Sequence, residues 1–276
     1  EGLNLSTVKS IVLPLPPLET QKQIADFLDK ETTRIDTLIS KKQKQIELLK
    51  EKRQAIITHA VTKGLNPDVM MKDSGVEWIG EIPEHWEIFR LKHLSRIKTG
   101  TTPNTDSIDI EGDILWYTPG DFSHELILSE SSRKVQQEEK SNMRIFLPLT
   151  VLLVSIGATL GKVSLSTEEC SSNQQINGIS TNDKLNPYYL LFFLLSFRDV
   201  IKEQSNSTTL GILNQEKTGN IQISIPTIEE QKHVVEYMKT QWKKSLELKS
   251  TIQKSINLLK EYRSSLITHA VTGKIY

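Results

Sequence analysis

The sequence predicts an α+β protein in which one globular domain is flanked by two long helices, and the two helices form an antiparallel coiled coil. Three observations lead to this prediction. A segment near the start of the chain is repeated near its end, each copy has the apolar spacing of a long helix, and the residues between the copies have the composition of a globular domain.

The internal repeat is the most informative feature of the chain. Leu3–Thr62 aligns with Leu213–Thr272 without a gap, and 23 of the 60 aligned positions are identical. The identities are densest towards the end of each copy, at Leu48–Glu51 with Leu258–Glu261 and at Ile57–Thr62 with Ile267–Thr272. Two copies are too few for a solenoid, so the repeat predicts two equivalent elements within one fold.

Each copy predicts a short strand followed by a long helix. The strands are Ser10–Leu15 and Asn220–Ile225, and a proline closes each of them. The polar segment that follows contains no proline or glycine and holds apolar residues at helical spacing. These residues are Ile24, Leu28, Ile35, Leu38, Ile46, Leu49, Ile56 and Ala60 in the first copy, and Val234, Met238, Leu248, Ile252, Ile256, Leu259, Leu266 and Ala270 in the second. The pattern predicts a helix of about 40 residues, which spans roughly 60 Å.

A helix with so narrow an apolar seam needs a partner helix to bury it. The repeat supplies one, so we expect the two helices to pack together along their seams. If the two ends of the intervening domain lie close together, the helices run antiparallel. A generic coiled-coil spacer is the alternative interpretation of the helices alone.

The segment between the helices, residues 76–210, contains more aromatic, glycine and β-branched residues than its flanks. Strands are predicted at Ile114–Tyr117, Thr150–Ser155 and Lys162–Ser166. A helix is predicted over Pro187–Lys202, with Asn186 as its N-cap and Pro187 in the first turn. The segment therefore predicts one α+β domain.

Charge and cysteine content exclude several classes of protein. The net charge is zero, but residues 76–210 carry 12 basic and 18 acidic side chains, a net charge of −6. This balance argues against autonomous, charge-driven binding of nucleic acid. A single cysteine, Cys170, excludes a disulfide framework and favours a reducing cytoplasm. No apolar run reaches membrane-spanning length, so no membrane partner is expected.

Three motifs carry a resemblance to a known family. Ser74–Trp86 opens the domain with the sequence SGVEWIGEIPEHW, Ser155–Val163 contains the glycine motif SIGATLGKV, and Asn173–Gln175 follows it. Each helix is also entered by Pro-x-x-Glu-x-Gln-Lys, at Pro16–Lys22 and Pro226–Lys232. Together these residues resemble the specificity subunits of type I restriction-modification systems, over nearly the whole chain.

The resemblance implies an architecture and a role. Specificity subunits carry two target-recognition domains separated by two conserved helices, which form an antiparallel coiled coil. Each domain reads one half of a bipartite DNA target, and the helices set the spacing and bind methyltransferase subunits. The subunit itself is not catalytic.

The resemblance also divides this chain into five segments. They are the tail of a preceding recognition domain at 1–17, the first conserved helix at 18–64, a linker at 65–75, a complete recognition domain at 76–226 and the second conserved helix at 227–276. Only one recognition domain is complete. Either the upstream domain lies outside this chain, or the chain is a half-subunit that pairs with a second copy of itself.

The implied partners follow from this role. They are double-stranded DNA, methyltransferase subunits, the restriction and translocase subunit indirectly, and a second copy of the chain if it is a half-subunit. S-adenosylmethionine and ATP are expected in the partner subunits, and no cofactor is expected in this chain. A coiled-coil scaffold with no DNA role is the alternative function. A catalytic methyltransferase or nuclease is disfavoured because the cofactor and metal motifs are missing.

Several motifs invite catalytic interpretations that the sequence does not favour. Gly157–Lys162 has three residues between its glycines rather than the four of a P-loop, and Val163 follows the lysine, so a tight turn is the better interpretation. Asn186–Tyr189 lacks the second proline of an adenine methyltransferase motif. His59 and His269 recur at matching helix ends without other ligands, which favours a structural role or a partner contact. The carboxylates in 106–113 resemble a solvated turn rather than a metal site.

For base reading, the domain offers polar loops at 98–105, 173–177 and 205–209. Asn and Gln pair bidentately with adenine, and Lys pairs with guanine. The candidate DNA-binding residues are Lys98, Thr101, Thr102, Asn104, Lys162, Asn173, Gln174, Gln175, Asn177, Ser207, Thr208 and Thr209. A purely structural turn is the alternative for 173–175.

Overall fold

The computed structural model of the chain describes residues 9, 12, 14–103, 108–109, 112–123, 126–205 and 211–275. These residues form two compact units. One unit consists of the chain up to Lys52 together with the chain from Lys243 onwards, and the other is Arg53–Trp242. We call the first the two-helix unit and the second the globular unit.

Both long helices begin within two residues of the prolines of the repeat and end within one residue of its last position. The helices are α1 (Leu18–Lys63), α2 (Pro187–Ser196), α3 (Arg198–Ser205), α4 (Gln215–Gly219) and α5 (Ile228–Val271). The strands are β1 (Met71–Asp73), β2 (Glu81–Pro83), β3 (Glu87–Arg90), β4 (Ser95–Thr99), β5 (Ile108–Asp109), β6 (Ile114–Tyr117), β7 (Ile127–Leu128), β8 (Lys134–Val135), β9 (Thr150–Val154), β10 (Val163–Ser166), β11 (Cys170–Ser172), β12 (Ile176–Thr181) and β13 (Gln222–Ile225). The chain is thus a mixed helix and sheet protein, as predicted.

The two-helix unit has an apolar cluster built from the predicted seam. Ile35, Ile39, Ile256 and Leu266 are buried, and five further apolar residues pack against them: Phe27, Leu28, Ile46, Ile252 and Leu259. At the edge of this cluster the guanidinium of Arg263 donates to both carboxylate oxygens of Asp36, at 2.9 and 3.2 Å. The apolar contacts supply the stabilisation, since an exposed ion pair of this kind contributes under about 1 kcal/mol.

The seam prediction needs two corrections. Leu38 and Leu248 are 39% and 50% exposed. Leu38 lies roughly 60° to the side of Ile35 around the helix, and Ile39 takes the inward position instead. Leu248 precedes the α5 part of the cluster, which begins at Ile252, by one turn.

The second correction concerns the parts of α1 and α5 that belong to the globular unit. Ile56, Val234 and Met238 do not contribute to the two-helix cluster. They pack instead with the core of the globular unit, alongside Ile57 and Val61. Hydrophobic spacing shows that a helix face is apolar, and it does not show which element covers that face.

The globular unit contains two main sheets. A five-stranded sheet has the order β4-β12-β9-β10-β7, and a four-stranded sheet has the order β11-β6-β8-β5. Most neighbours are antiparallel, while β10 with β7 and β11 with β6 are parallel. Two short antiparallel pairs, β1 with β2 and β13 with β3, complete the unit. The predicted strands over 114–117, 150–155 and 162–166 are present, each within one residue of its expected ends.

The predicted helix over Pro187–Lys202 is divided at Phe197 into α2 and α3. Asn186 is the N-cap of α2, since its side chain accepts from the backbone N–H groups of Tyr188 and Tyr189. All but the ends of α2 are buried, so α2 is a core helix. The predicted strand over 220–225 begins at Gln222. Val12, Pro14 and Leu15, the described residues of the predicted first strand, are not in a strand.

A buried polar joint connects the ends of both long helices to the core of the globular unit. The Val61 carbonyl accepts from the Ser224 hydroxyl at 2.8 Å, and the Tyr189 hydroxyl lies within hydrogen-bonding distance of both the Val61 and Ser224 carbonyls. Gln231 is fully buried and donates to the carbonyls of Lys184 and Pro226, while its side-chain oxygen accepts from the Asn186 N–H. These bonds satisfy main-chain groups that burial would otherwise leave unpaired.

Among the described residues, the repeat counterpart of Gln231 makes only the local bond of this joint. Gln21 donates to the carbonyl of Pro16 at 2.8 Å, as Gln231 donates to that of Pro226 at 3.0 Å. Gln21 is half-buried. Among the described residues, no helix has the length and apolar character needed to cross a membrane.

We predict that Gln231→Met destabilises the globular unit by about 2–3 kcal/mol, because it leaves the buried Asn186 N–H and two carbonyls without partners. The same change at the repeat counterpart, Gln21→Met, is the matched control and costs under about 1 kcal/mol. Denaturant unfolding of the two variants measures the difference. Equal costs at the two positions would show that the joint around Gln231 adds nothing to the local bond.

Candidate nucleic-acid interface

A close crossing of two segments brings together two of the three predicted polar loops, 98–105 and 173–177. Gly100 donates its N–H to the Ile176 carbonyl at 3.0 Å. A Cβ at Gly100 would lie 2.3 Å from the Ser172 carbonyl oxygen and 2.4 Å from that of Asn173. Only glycine allows this approach, and it places residues 101–103 beside the turn at 173–175.

The Thr102 hydroxyl donates to the side-chain oxygen of Gln174 across this crossing. Both residues are exposed. Beside them lies a cavity of about 390 Å³, which we call the amide groove. It is lined by Thr99, Ser155, Ile156, Gln174, Asn177, Ile212, Asn214, Gln215 and Glu216. The groove therefore presents mainly neutral donors and acceptors, with one carboxylate.

Asn177 does not present its amide to a ligand, which corrects its prediction as a base-reading residue. Its side chain is buried. Its oxygen accepts from the Thr99 hydroxyl at 2.8 Å, and its nitrogen donates to the Leu213 carbonyl and the Thr218 hydroxyl at 2.8 and 3.0 Å. Asn177 therefore supports the floor of the amide groove by connecting β12 to β4 and to the segment that enters α4.

The turn at 173–175 is partly held by its own side chains. The Asn173 side chain accepts from the Gln175 N–H at 3.1 Å and donates to the Gln175 side-chain oxygen at 3.0 Å. This is the structural interpretation that the sequence left open for these two residues. Gln174, between them, is exposed and faces the amide groove.

Lys98 and Thr101 do not line the amide groove. Lys98 lies on β4 rather than in a loop, opposite Gly178 on β12. Gly178 packs under the ring of Phe146, so this face is covered by apolar residues. The Thr101 hydroxyl accepts from the Arg144 N–H at 2.8 Å, and the Thr101 carbonyl accepts from the Trp116 indole.

Lys162 also lies away from the amide groove. It ends a tight turn between the antiparallel strands β9 and β10, in which Gly157 and Gly161 have φ angles of 88° and 83°. A P-loop joins a strand to a helix, so this hairpin turn does not match one. The Lys162 ammonium donates to the Phe122 carbonyl at 2.8 Å and lines a second cavity. Four further candidates, Asn104, Ser207, Thr208 and Thr209, lie outside the described residues.

Three residues of the amide groove were missed by the sequence analysis. Asn214, Gln215 and Glu216 form the start of α4, where Asn214 is the N-cap and Gln215 donates to the Thr99 hydroxyl at 2.9 Å. Because Leu213-Asn214 matches Leu3-Asn4, these residues were counted as part of the repeat and not as candidate DNA-binding residues. The Asn-Gln-Glu run itself has the base-reading chemistry used to choose the other candidates.

Neither a metal-ligand cluster nor a reactive thiol occurs among the described residues. No group of three metal-ligating side chains occurs in the described part of the chain. Burial raises the pKa of the Cys170 thiol to about 12, so it stays protonated and unreactive near neutral pH. His59 and His269 are exposed at the ends of their helices, and His269 contacts Ser265 one turn earlier.

Comparison with known proteins identifies what this chain is similar to. The family model described as "Type I restriction modification DNA specificity domain" matches residues 1–48 and 83–258. The MjaX specificity subunit of a type I restriction enzyme from Methanocaldococcus jannaschii is 26% identical over 99% of this chain and 61% of its own length. The EcoBI specificity subunit from Escherichia coli is 23% identical over 99% of this chain and 60% of its own length.

Solved structures show the same fold. A chain from a study of complex assembly and conformational transition of the type I R-M system superposes with a TM-score of 0.77, at 20% identity, over 95% of this chain and 61% of that one. The HsdS subunit from Thermoanaerobacter tengcongensis superposes with a TM-score of 0.59, at 19% identity, over 99% of this chain and 63% of that one. This chain spans less than two thirds of the length of these relatives.

We predict that Asn177→Ala lowers the free energy of unfolding much more than Gln174→Ala does. Asn177→Ala leaves buried partners unsatisfied and lowers the free energy of unfolding by about 2–3 kcal/mol. Gln174→Ala removes an exposed amide and changes it by under about 0.5 kcal/mol. Chemical denaturation monitored by tryptophan fluorescence measures both values. A stable Asn177→Ala variant would contradict the supporting role of Asn177 under the groove.

Proposed function

Because this chain belongs to the family of type I restriction modification DNA specificity domains, we propose that it is the DNA sequence-recognition part of a type I restriction-modification complex. In this proposal the globular unit reads one half of a bipartite target through the amide groove. The chain carries no catalytic role, and methylation and cleavage belong to partner subunits that bind S-adenosylmethionine and ATP. The observation that carries the proposal is a rigidly supported groove of amides in a member of this family.

The chemistry of the amide groove favours direct readout of base edges. Gln174 and Gln215 each present a donor and an acceptor, the combination that pairs bidentately with adenine in the major groove. Glu216 is an acceptor for the amino group of cytosine. Neutral amides and a carboxylate contribute little to phosphate binding. In this proposal the groove therefore supplies sequence specificity, and other groups supply the affinity for the DNA backbone.

Affinity for the DNA backbone must then come from elsewhere. The segment 76–210 carries a net charge of −6, from 12 basic and 18 acidic side chains. Non-specific affinity for DNA depends on cationic contacts to phosphates. We therefore expect the isolated chain to bind DNA weakly, with the methyltransferase subunits supplying much of the phosphate clamp.

The two long helices have the length needed to set the spacing between two recognition domains. We propose that α1 and α5 form an antiparallel coiled coil. The Asp36–Arg263 ion pair and the cluster around Ile35 and Ile256 support this arrangement, since residues early in α1 meet residues late in α5. Helices of 46 and 44 residues are each roughly 65–70 Å long, enough to hold two readers one to two DNA turns apart.

A second recognition domain has a matching place on the two-helix unit. Val61 and Thr62 are buried in the globular unit, whereas their repeat counterparts Val271 and Thr272 are exposed in the two-helix unit. In the same way Ile225 is buried and its counterpart Leu15 is 84% exposed. We propose that another recognition domain of the same kind covers these residues. It is supplied either by the same polypeptide or by a second copy of this chain.

Methyltransferase subunits would bind the outward faces of the helices, and the restriction and translocase subunit would join through them. Leu38 and Leu48 are exposed on α1, and their repeat counterparts Leu248 and Leu258 are exposed on α5. Equivalent exposed leucines on two repeated helices suit two copies of one partner. The exposed His59 and His269 at the helix ends are further candidate contacts.

We predict that the double variant Gln174→Ala/Gln215→Ala loses roughly 30-fold or more in affinity for the target duplex, because each of the two bidentate pairs contributes about 1–3 kcal/mol. The target is first obtained by selecting bound duplexes from a random pool with the chain and its methyltransferase subunit. Affinity for a scrambled duplex stays unchanged, and Gln137→Ala, an exposed glutamine outside the groove, is the control. If no sequence is enriched, the scaffold function replaces DNA recognition.

We predict that Ile256→Asp and Leu258→Asp separate helix pairing from partner binding. Ile256 is 1% exposed and Leu258 is 64% exposed. Ile256→Asp buries a charge in the seam, lowers helicity by circular dichroism and abolishes capture of the methyltransferase subunit. Leu258→Asp leaves helicity unchanged and weakens capture only. Full helicity in Ile256→Asp would contradict the coiled coil, and light scattering of the wild-type chain distinguishes monomer from dimer.

A further inference from the structure

The globular unit contains a second cavity, of about 150 Å³, at which three positive side chains converge. Arg53 comes from α1, Lys162 from the turn between β9 and β10, and Arg198 from the start of α3. The other lining residues are Gln54, Ile57, Ser123, Leu126, Val163, Leu195 and Trp242. No carboxylate occurs among them, so the described lining of the cavity is purely cationic, polar and apolar.

Each of the three cations is positioned by contacts with described residues. The Arg53 guanidinium stacks over the Trp242 ring at 4.1 Å. The Lys162 ammonium has three N–H donors, and one of them donates to the Phe122 carbonyl. Gly161 makes room for Arg198, because a Cβ at Gly161 would lie 3.1 Å from the Arg198 side chain. Gln54 closes the neighbouring wall by donating to the Ser196 carbonyl at 2.8 Å.

The charges at this cavity are not compensated within the described residues. None of the three cations forms a salt bridge in that part of the chain. The Nε of Arg198 is buried and has no acceptor among the described atoms. Burial also lowers the pKa of the Arg53 guanidinium, and no neighbouring carboxylate offsets this effect. Gathering uncompensated cations in a partly buried space is unfavourable unless an anion completes the site.

We propose that this cavity binds a phosphate oxyanion. Two guanidinium groups and one ammonium supply the fork-shaped and single donors that phosphate oxygens accept. The volume is about ten times the minimum that admits one water molecule, so a tetrahedral anion fits. The phosphate is either free inorganic phosphate or a phosphate of the DNA backbone, and the second source rests on the proposed function.

Calorimetric titration of the full chain with inorganic phosphate, at constant ionic strength in chloride, tests the site. The wild type is expected to show saturable binding of one phosphate. Arg198→Gln and Arg53→Gln each weaken it roughly tenfold or more, as expected for the loss of a charge-assisted bond. Arg96→Gln, at an exposed arginine on β4, binds phosphate as the wild type does. Thermal unfolding of each variant verifies that it is folded.

Equal phosphate binding by the wild type and both cavity variants would overturn the proposal, as would absence of binding. Glu125 adjoins the lining in sequence and lies outside the described residues, so Glu125→Gln belongs in the same series. If only Glu125→Gln binds phosphate, the cavity is filled by a carboxylate of the chain itself and the proposal fails.

The source of the phosphate is decided with the target and scrambled duplexes, using the chain with its methyltransferase subunit. If the DNA backbone occupies the cavity, Arg198→Gln weakens binding of both duplexes equally and free phosphate competes with DNA. If free phosphate is the ligand, Arg198→Gln loses phosphate binding and keeps its DNA affinity. Failure of the DNA-recognition function is seen separately, as absence of an enriched sequence while phosphate still binds.

Discussion

The globular unit depends on the buried polar joint that connects the ends of α1 and α5 to its core. The Val61 carbonyl, the Tyr189 and Ser224 hydroxyls and the Gln231 amide satisfy one another or nearby main-chain groups. Apolar packing around α2 buries these polar groups. Their hydrogen bonds to one another offset the desolvation penalty that unpaired groups would carry. Apolar contacts alone would tolerate a rotated or shifted helix, whereas paired hydrogen bonds admit one arrangement. The joint therefore fixes the position of the helix ends within the unit.

Buried hydrogen bonds also fix the arrangement of elements at the amide groove. Burial of Asn177 connects β4, β12 and the start of α4, so that Gln174 and Gln215 stand on elements with little freedom to move. The crossing at Gly100 adds a steric constraint of the same kind. A reading surface benefits from such rigidity, because an amide that is already oriented loses less entropy when it pairs with a base. The second cavity differs, since its charged groups are held in position without partners.

The sequence predicted more of the architecture than of the candidate site. Both long helices follow from the repeat and the seam, and the Asn186 cap and the central strands follow from local patterns. Helical spacing could not show which element buries Ile56, Val234 and Met238. A partner helix and a domain core can each bury the same apolar helix face, and here it is the domain core. Polar composition likewise selected Asn177 and Gln174 together, although Asn177 is a buried support and Gln174 is exposed beside the amide groove. That difference arises from strand pairing between residues 78 positions apart, which no local pattern records.

The partners of Gln231 in the joint are all main-chain atoms, namely the Lys184 and Pro226 carbonyls and the Asn186 N–H. Val61 likewise contributes its carbonyl rather than its side chain. Within the joint, the segment between the two repeat copies contributes one side chain, the Tyr189 hydroxyl, together with the main-chain groups of Lys184 and Asn186. These main-chain partners are the same whatever side chain each position carries, so this part of the joint does not depend on the sequence of the segment that it holds.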